Sequence, residues 1–170
     1  MKNTMKIVAL IAFIFMAFTV SAQTKIGHLS TEEIMEAMPE MKEATVKLNA
    51  KRDELTKMMA DLQKQYEDLL REYQANAKTY TDAVREEKEK AIMQSEDRQR
   101  NYNDIATSQF DKLREELLLP IYEKVRKAIK EVGDEQKFTY IFDARELLYV
   151  SPTAGIDVAP FVKKKLNLPL

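Results

Sequence analysis

Apolar residues in the middle of this chain recur every seven positions, with mostly polar and charged residues between them. Thr45, Arg52 and Asn76 interrupt the pattern. A seven-residue repeat predicts a long helix that packs against a partner helix along one seam, here over about six heptads. Two interleaved sets of residues share this spacing: Met41, Leu48, Leu55, Leu62 and Leu69, and Met38, Met59, Tyr66, Tyr73 and Tyr80.

Glycine and proline, the residues that end helices, are nearly absent from this region. Between Glu40 and Val132 the chain has no glycine and one proline, Pro120. One helix of about 90 residues would extend about 140 Å. We favour a hairpin of two antiparallel helices over one continuous helix, because the second arm then buries the seam of the first.

The best turn signal lies at Asn76 and residues 79–82. Thr79 or Thr81 is a suitable cap for a second helix, with Asp82 in the first turn, where an acidic side chain is favoured. We therefore expect the tip of the hairpin here.

The second arm is polar from Arg85 to Asn101, with Ala91, Ile92 and Met93 as its only apolar residues. A helical apolar stripe then resumes at Tyr102 and continues to Val132. We expect the outer part of this arm to be weakly packed and easily opened. Pro120 should kink the helix or start a new one.

Short segments on either side of the arms predict a small sheet. Strand signals fall at residues 25–29, 139–143 and 147–150, the last two at hairpin distance. Gly133 is the expected helix stop, and Asp157 the cap of a short final helix through Val162 and Leu166. A sheet this small needs the helix ends, or other copies of itself, to bury a core.

The predicted fold is mainly α, with a long antiparallel coiled-coil hairpin projecting from a small β-rich association body. We divide the chain into a signal peptide (1–22), a discontinuous body (23–38 and 120–170) and the hairpin (39–119).

The first residues have the features of a secretory signal peptide. Lys2 and Lys6 precede an apolar run at residues 7–20, and Val20-Ser21-Ala22 matches a signal-peptidase site. We predict cleavage after Ala22 and no integral membrane segment in the mature chain. The alternative, a membrane anchor, would need about 20 apolar residues, more than this run provides.

The amino-acid composition argues against most types of catalytic site. The processed chain has 25 basic and 28 acidic residues, a net charge of −3, which argues against nucleic acid as the main partner. The chain has no cysteine, one histidine and no phosphate-binding glycine-rich loop. His28 is expected to be an ordinary strand residue. We expect no enzymatic activity, no catalytic residue, no metal and no cofactor.

The order of these segments along the chain is similar to that of a known protein family. A Lys25-Ile26-Gly27 strand precedes a helix entry at residues 30–40, and the chain closes with the segments 120–132, 140–143 and 157–166. This arrangement resembles the Skp/OmpH family of periplasmic chaperones over essentially the whole mature chain. The middle resembles the family in pattern only, because heptads occur in many proteins.

The resemblance implies a homotrimer in which three hairpins surround a cavity. Family members hold unfolded outer-membrane proteins there, without ATP, and prevent their aggregation. This chain is slightly acidic where well-known members are strongly basic, so a lipopolysaccharide site is not carried over. The alternative function is a structural coiled-coil spacer or adaptor of the cell envelope.

Residue chemistry suggests where an unfolded client could bind. Methionine is flexible and suits surfaces that fit many sequences, and tyrosine combines an apolar ring with a polar end. Several candidates also lie on the seam and are expected to pack between the arms. The candidate client contacts are Met58, Met59, Tyr66, Tyr73, Tyr80 and Met93. The candidate trimer-forming residues of the body are Ile26, Leu29, Tyr140, Ile141, Phe142, Leu148 and Val150.

Overall fold

The computed structural model describes residues 24–151 and 155–169. The predicted signal peptide lies outside these residues. The fold is mainly helical with a small sheet, as predicted. In chain order the elements are β1 (Ile26–Leu29), α1 (Thr31–Ala37), α2 (Pro39–Asn76), α3 (Asp82–Gln136), β2 (Tyr140–Asp143), a 3-10 turn (Ala144–Glu146), β3 (Ile156–Asp157) and α4 (Ala159–Lys165).

Helices α2 and α3 form the predicted antiparallel hairpin. Ion pairs join Glu72 to Lys88 near the tip and Glu40 to Lys124 near the body. The hydroxyl of Thr81 caps α3 by accepting a hydrogen bond from the Val84 N–H at 3.4 Å. The turn therefore occupies the predicted position, with Thr81 rather than Thr79 as the cap.

Helix α3 passes through both positions where an interruption was expected. It continues across Pro120, so no new helix starts there. The missing proline N–H removes one helical hydrogen bond, but Leu117 and Ile121 pack into the core on either side of it. Gly133 is helical, and α3 ends at Gln136 with Lys137 in the left-handed conformation at φ 57°. The prediction of a helix stop at Gly133 is therefore wrong.

The sheet is parallel, with strand order β2-β1-β3. Ile26 pairs with Tyr140 on one side of β1, and Gly27 pairs with Ile156 on the other. The prediction of a hairpin with a third strand at residues 147–150 is wrong. The Asp143 carboxylate accepts a hydrogen bond from the Arg145 N–H at 3.0 Å, and this turn takes the following residues out of the sheet.

The hairpin is thus the crossover connection between two parallel strands, β1 and β2. Lys25 helps to fix this geometry, because its ammonium donates to the Gln136 carbonyl at the end of α3 (2.8 Å). At the start of α4, the Asp157 carboxylate accepts from the Ala159 N–H at 2.8 Å. The N-cap of α4 is Val158, without a side-chain cap, so the prediction of Asp157 as the cap is wrong by one residue. Asp157 instead makes an Asx turn just before the helix.

The hydrophobic core lies where the bases of the arms meet the sheet and α4. Gly27 allows this close packing, since a Cβ at this position would lie 2.3 Å from Val158 Cγ2. The buried apolar residues come from β1, the four helices and the short connections at Met38 and Val158: Leu29, Ile34, Met35, Met38, Ala44, Ile121, Val125, Ala128, Val132, Val158 and Val162.

Candidate functional site

The tip of the hairpin is fastened by a group that we call the tip clasp: Glu72, Tyr73, Tyr80, Lys88 and Glu89. The two tyrosine rings lie 6.3 Å apart, centre to centre. The Tyr73 hydroxyl donates to the Glu89 carboxylate, and the Lys88 ammonium donates to Glu72 at 2.7 Å. These contacts use one predicted client-binding tyrosine, Tyr73, to join the arms, and they pack a second, Tyr80 of the turn, against it.

The tip clasp shifts the pKa values of its members. The hydrogen bond between Lys88 and Glu72 lowers the pKa of the carboxyl group and raises the pKa of the ammonium group. The hydrogen bond to Glu89 raises the pKa of Tyr73. Each shift favours the protonation state that holds the arms together at neutral pH.

The polar part of the second arm still has a packing stripe. Its residues are Ile92, Ser95, Gln99 and Tyr102, which follow one another at spacings of three, four and three. Ser95 is 1% exposed, and the other three are half-buried. The Gln99 amide donates to the Leu62 carbonyl of α2 at 3.5 Å. Small and amide side chains thus occupy seam positions in the part of the arm that was expected to be weakly packed.

Closer to the body, the arms leave a groove between them. Arg52 and Asp111 line its inner part, where the Arg52 guanidinium carbon lies 5.5 Å from the centre of the Phe110 ring. We call the adjoining outer part the neutral groove, because its lining residues carry no formal charge. They are Leu55, Thr56, Met59, Ala60, Gln63, Tyr102, Asn103 and Ala106.

The structure separates the predicted client contacts into different environments. Met59 is half-buried in the neutral groove, and Tyr66 is half-buried on the seam. Met58 and Met93 are 48% and 64% exposed. They do not line the neutral groove, and their role stays a prediction.

A second apolar surface lies on the outer face of the sheet. Ile26, Tyr140 and Phe142 are all exposed, and the two rings stack with centres 6.0 Å apart. Leu148 is fully exposed in the segment after the 3-10 turn, and the nearby Val150 is half-buried. These are five of the seven residues predicted to form a trimer.

The other two predicted residues lie on the inner face of the sheet. Leu29 is 2% exposed in the core of its own subunit, and Ile141 packs against that core. The alternation follows from the strand period of two, which sends successive side chains to opposite faces. Leu29 and Ile141 therefore lie on the core side of the sheet, opposite the exposed residues of the outer face.

A polar cluster fixes the junction between β2 and α1. Arg145 binds Glu32 at 2.7 Å and Asp143 at 3.2 Å, and the Thr31 hydroxyl also donates to Asp143. The hydrogen bonds from Arg145, first, and from Thr31 hold the pKa of the Asp143 carboxyl well below its usual range, although partial burial opposes them. The cluster therefore ties the end of β2 to the start of α1.

Sequence analysis missed the rim of the neutral groove, especially Thr56, Gln63 and Asn103. The available signal was that these three residues are polar and uncharged, but they form one rim only in the register of the folded arms. Within residues 24–151 and 155–169, no three His, Cys, Asp or Glu side chains could together hold a metal ion. In the same residues, no helix is both long and apolar enough to cross a membrane.

The sequence pattern of the OmpH-like outer membrane protein family matches residues 25–166, from the start of the sheet to the end of α4. The chain belongs to the OmpH-like family. A search of curated proteins gives no match to this OmpH-like protein. Its fold is similar to the crystal structure of an OmpH-like protein from Caulobacter crescentus CB15, described as a candidate outer membrane chaperone. The TM-score is 0.67 at 12% identity, over 86% of this chain and 85% of that chain.

Proposed function

We propose that this OmpH-like protein is an ATP-independent periplasmic holdase chaperone. It binds unfolded outer-membrane proteins between its helical arms and prevents their aggregation. Family membership and the structural match support a chaperone role. The observation that carries the proposal is the hairpin itself, which projects beyond the small core and leaves its apolar residues only half covered.

The arms suit a client without fixed structure. The buried apolar cluster of the described chain is confined to the body and the arm bases, and farther out the seam residues are only partly covered. A client can therefore exchange contacts with the arms without unfolding the body. No nucleotide-binding loop is present in the sequence, which fits binding and release driven by the client's own folding.

The outer face of the sheet supports assembly into a trimer. It presents Ile26 at 47%, Tyr140 at 57% and Phe142 at 42% exposure, an unusual concentration of apolar area on so small a body. Association through this face would place three hairpins around one space. The site of action is the periplasm, reached through a signal peptide cleaved after Ala22.

A light-scattering assay tests the holdase proposal. A urea-unfolded outer-membrane β-barrel protein is diluted into buffer with an equimolar amount of the purified, processed protein. The proposal expects aggregation to be slowed strongly without ATP. A structural spacer or adaptor would leave aggregation unchanged, and that result would refute the holdase function.

A further inference from the structure

The neutral groove differs in charge from the adjoining inner part, which Arg52 and Asp111 line. Charged residues make up 32% of the chain, yet none of the eight residues that line this groove is charged. The lining spans Leu55–Gln63 on one arm and Tyr102–Ala106 on the other. Two arms must be in register to bring such segments together, so the groove is a property of the hairpin and not of either helix.

The floor and the rim of the groove offer two kinds of contact. Leu55, Met59 and Ala106 form an apolar floor, and Met59 can adapt to side chains of different shape. The exposed hydroxyl of Thr56 and the amide of Asn103 lie on the rim. These groups both donate and accept hydrogen bonds, as an unpaired peptide backbone does.

The dimensions fit a short extended segment. The nine residues of α2 from Leu55 to Gln63 rise about 12 Å along the helix axis. At about 3.3 Å per residue, this length accommodates about four residues of extended chain. In an extended segment, alternate side chains face the floor and the others face solvent. Strands of outer-membrane barrels have this alternation of apolar and polar residues.

We infer that the neutral groove binds an extended, uncharged segment of an unfolded polypeptide with apolar side chains at alternate positions. The inference rests on the proposed holdase function and assigns that function to one place on the arms. Alternate side chains of the client occupy the floor, and its backbone amides exchange hydrogen bonds with the Thr56 and Asn103 rim. A charge at the rim would lose hydration when the client covers it, which opposes binding.

The other exposed surfaces of the described chain fit this role less well. The tip clasp already pairs the hydroxyls of both its tyrosines with carboxylates, Tyr73 with Glu89 and Tyr80 with Glu72. The aromatic face of the sheet belongs to the body and suits association between copies. Met58 lies beside Lys57, and Met93 is isolated on a polar stretch of α3.

Photocrosslinking tests the location directly. A photoreactive phenylalanine analogue is placed singly at Thr56, Asn103, Met58 and Met93 in the full chain, and each protein is mixed with a urea-unfolded outer-membrane β-barrel. The inference expects the two groove positions to crosslink to the barrel at least several-fold more than the two methionine positions. Equal yields, a reversed order or crosslinks to a second copy of this chain would overturn it.

A charge-insertion pair provides the matched control. The double variant Thr56→Glu, Asn103→Glu places one acid on each arm at the groove rim. The control Gln65→Glu, Gln94→Glu adds the same charge at exposed positions outside the groove. With circular dichroism unchanged in both, the groove variant should bind the unfolded barrel at least about tenfold more weakly, a loss of about 1.4 kcal/mol.

The outcomes separate the inference from the proposed function. If the unmodified protein binds the barrel but both variants bind equally well, the neutral groove is not the binding place and the holdase proposal stands. If the unmodified protein fails to bind the barrel at all, the proposed function is wrong, and the inference falls with it.

Discussion

Individual residues in the body stabilise the junction from which the two arms project. Gly27 lies in the central strand, and the atoms of Val158 and Phe138 occupy the space where a side chain would begin. The Asp143–Arg145 pair ties the end of β2 to the start of α1. Both features act on the junction from which the hairpin projects.

Gly27→Ala should destabilise the body. Its Cβ would lie 2.3 Å from Val158 Cγ2 and 2.9 Å from Phe138 Cε1, and such overpacking typically costs about 1–3 kcal/mol. Urea unfolding followed by circular dichroism measures the loss. Gly133→Ala is the matched control, because its nearest contact would be an ordinary 3.5 Å and alanine favours the helix. Equal losses in the two variants would contradict the packing assigned to Gly27.

Asp143 should make folding sensitive to acid. Its pKa is lowered in the folded protein, so the unfolded chain takes up the proton first as the pH falls. The stabilisation is complete above the ordinary carboxyl pKa of about 3.9 and declines below it. Urea unfolding at pH 6 and pH 3 should show a smaller drop in Asp143→Asn than in the unmodified protein. The same substitution at the exposed Asp61 should leave the drop unchanged, and an unchanged drop in Asp143→Asn would refute the assignment.

At the scale of elements, the two arms are held differently along their length. Apolar residues pack the bases into the body, polar groups and Ser95 fill the middle of the seam, and the tip clasp joins the far ends. The expectation of a weakly packed outer arm was incomplete, because it considered apolar contacts alone. The hydrogen bonds between the arms are long in the middle, 3.5 Å for Gln99 to Leu62 and 3.4 Å for Tyr102 to Leu55, and short at the tip, 2.7 Å for Lys88 to Glu72.

Removing the tip clasp should loosen the outer arms selectively. In the double variant Glu72→Gln, Tyr73→Phe, hydrogen–deuterium exchange around residues 72–90 should rise by about two- to fivefold, the range expected for weak exposed pairs. Exchange in the sheet and α4 should not change. A similar rise should follow from high salt in the unmodified protein, because salt screens exposed ion pairs. Unaltered exchange at the tip in the variant would show that the clasp does not restrain the arms.

The arms could be predicted from the sequence because periodicity and capping are local signals. The seven-residue repeat located the seam, and Thr81 and Asp82 marked the start of α3. The third strand could not be located in this way, since Ile156–Asp157 has only two residues and depends on pairing with β1. The segment 147–150 has strand composition, but the turn at Asp143 directs it away from the sheet.

The contacts between the two arms also could not be predicted from the sequence. Glu72 and Lys88 are 16 positions apart and meet only because the turn sets the register of the hairpin. The same register assembles the neutral groove from Thr56 and Asn103. Met58 and Met93 were chosen for their chemistry, and chemistry alone does not distinguish a groove from an isolated exposed side chain.

At the scale of the molecule, a small body supports long arms and leaves an aromatic sheet face exposed. We predict that this face joins three subunits. The variant Tyr140→Asp, Phe142→Asp should run as a folded monomer in light scattering coupled to size-exclusion chromatography, while the unmodified protein shows three times the subunit mass. Val46→Asp, at an exposed valine on the arm, should remain a trimer. A monomeric unmodified protein, or a trimeric double variant, would contradict this use of the sheet face.

The most direct test of the holdase proposal is to identify what the protein holds inside cells. Crosslinking in living cells, followed by purification of the full-length protein and mass spectrometry, would identify its bound partners. The holdase proposal predicts a range of unfolded outer-membrane barrel precursors, each bound through the arms. Capture of one folded partner at fixed stoichiometry would contradict the proposal and indicate an adaptor of the cell envelope.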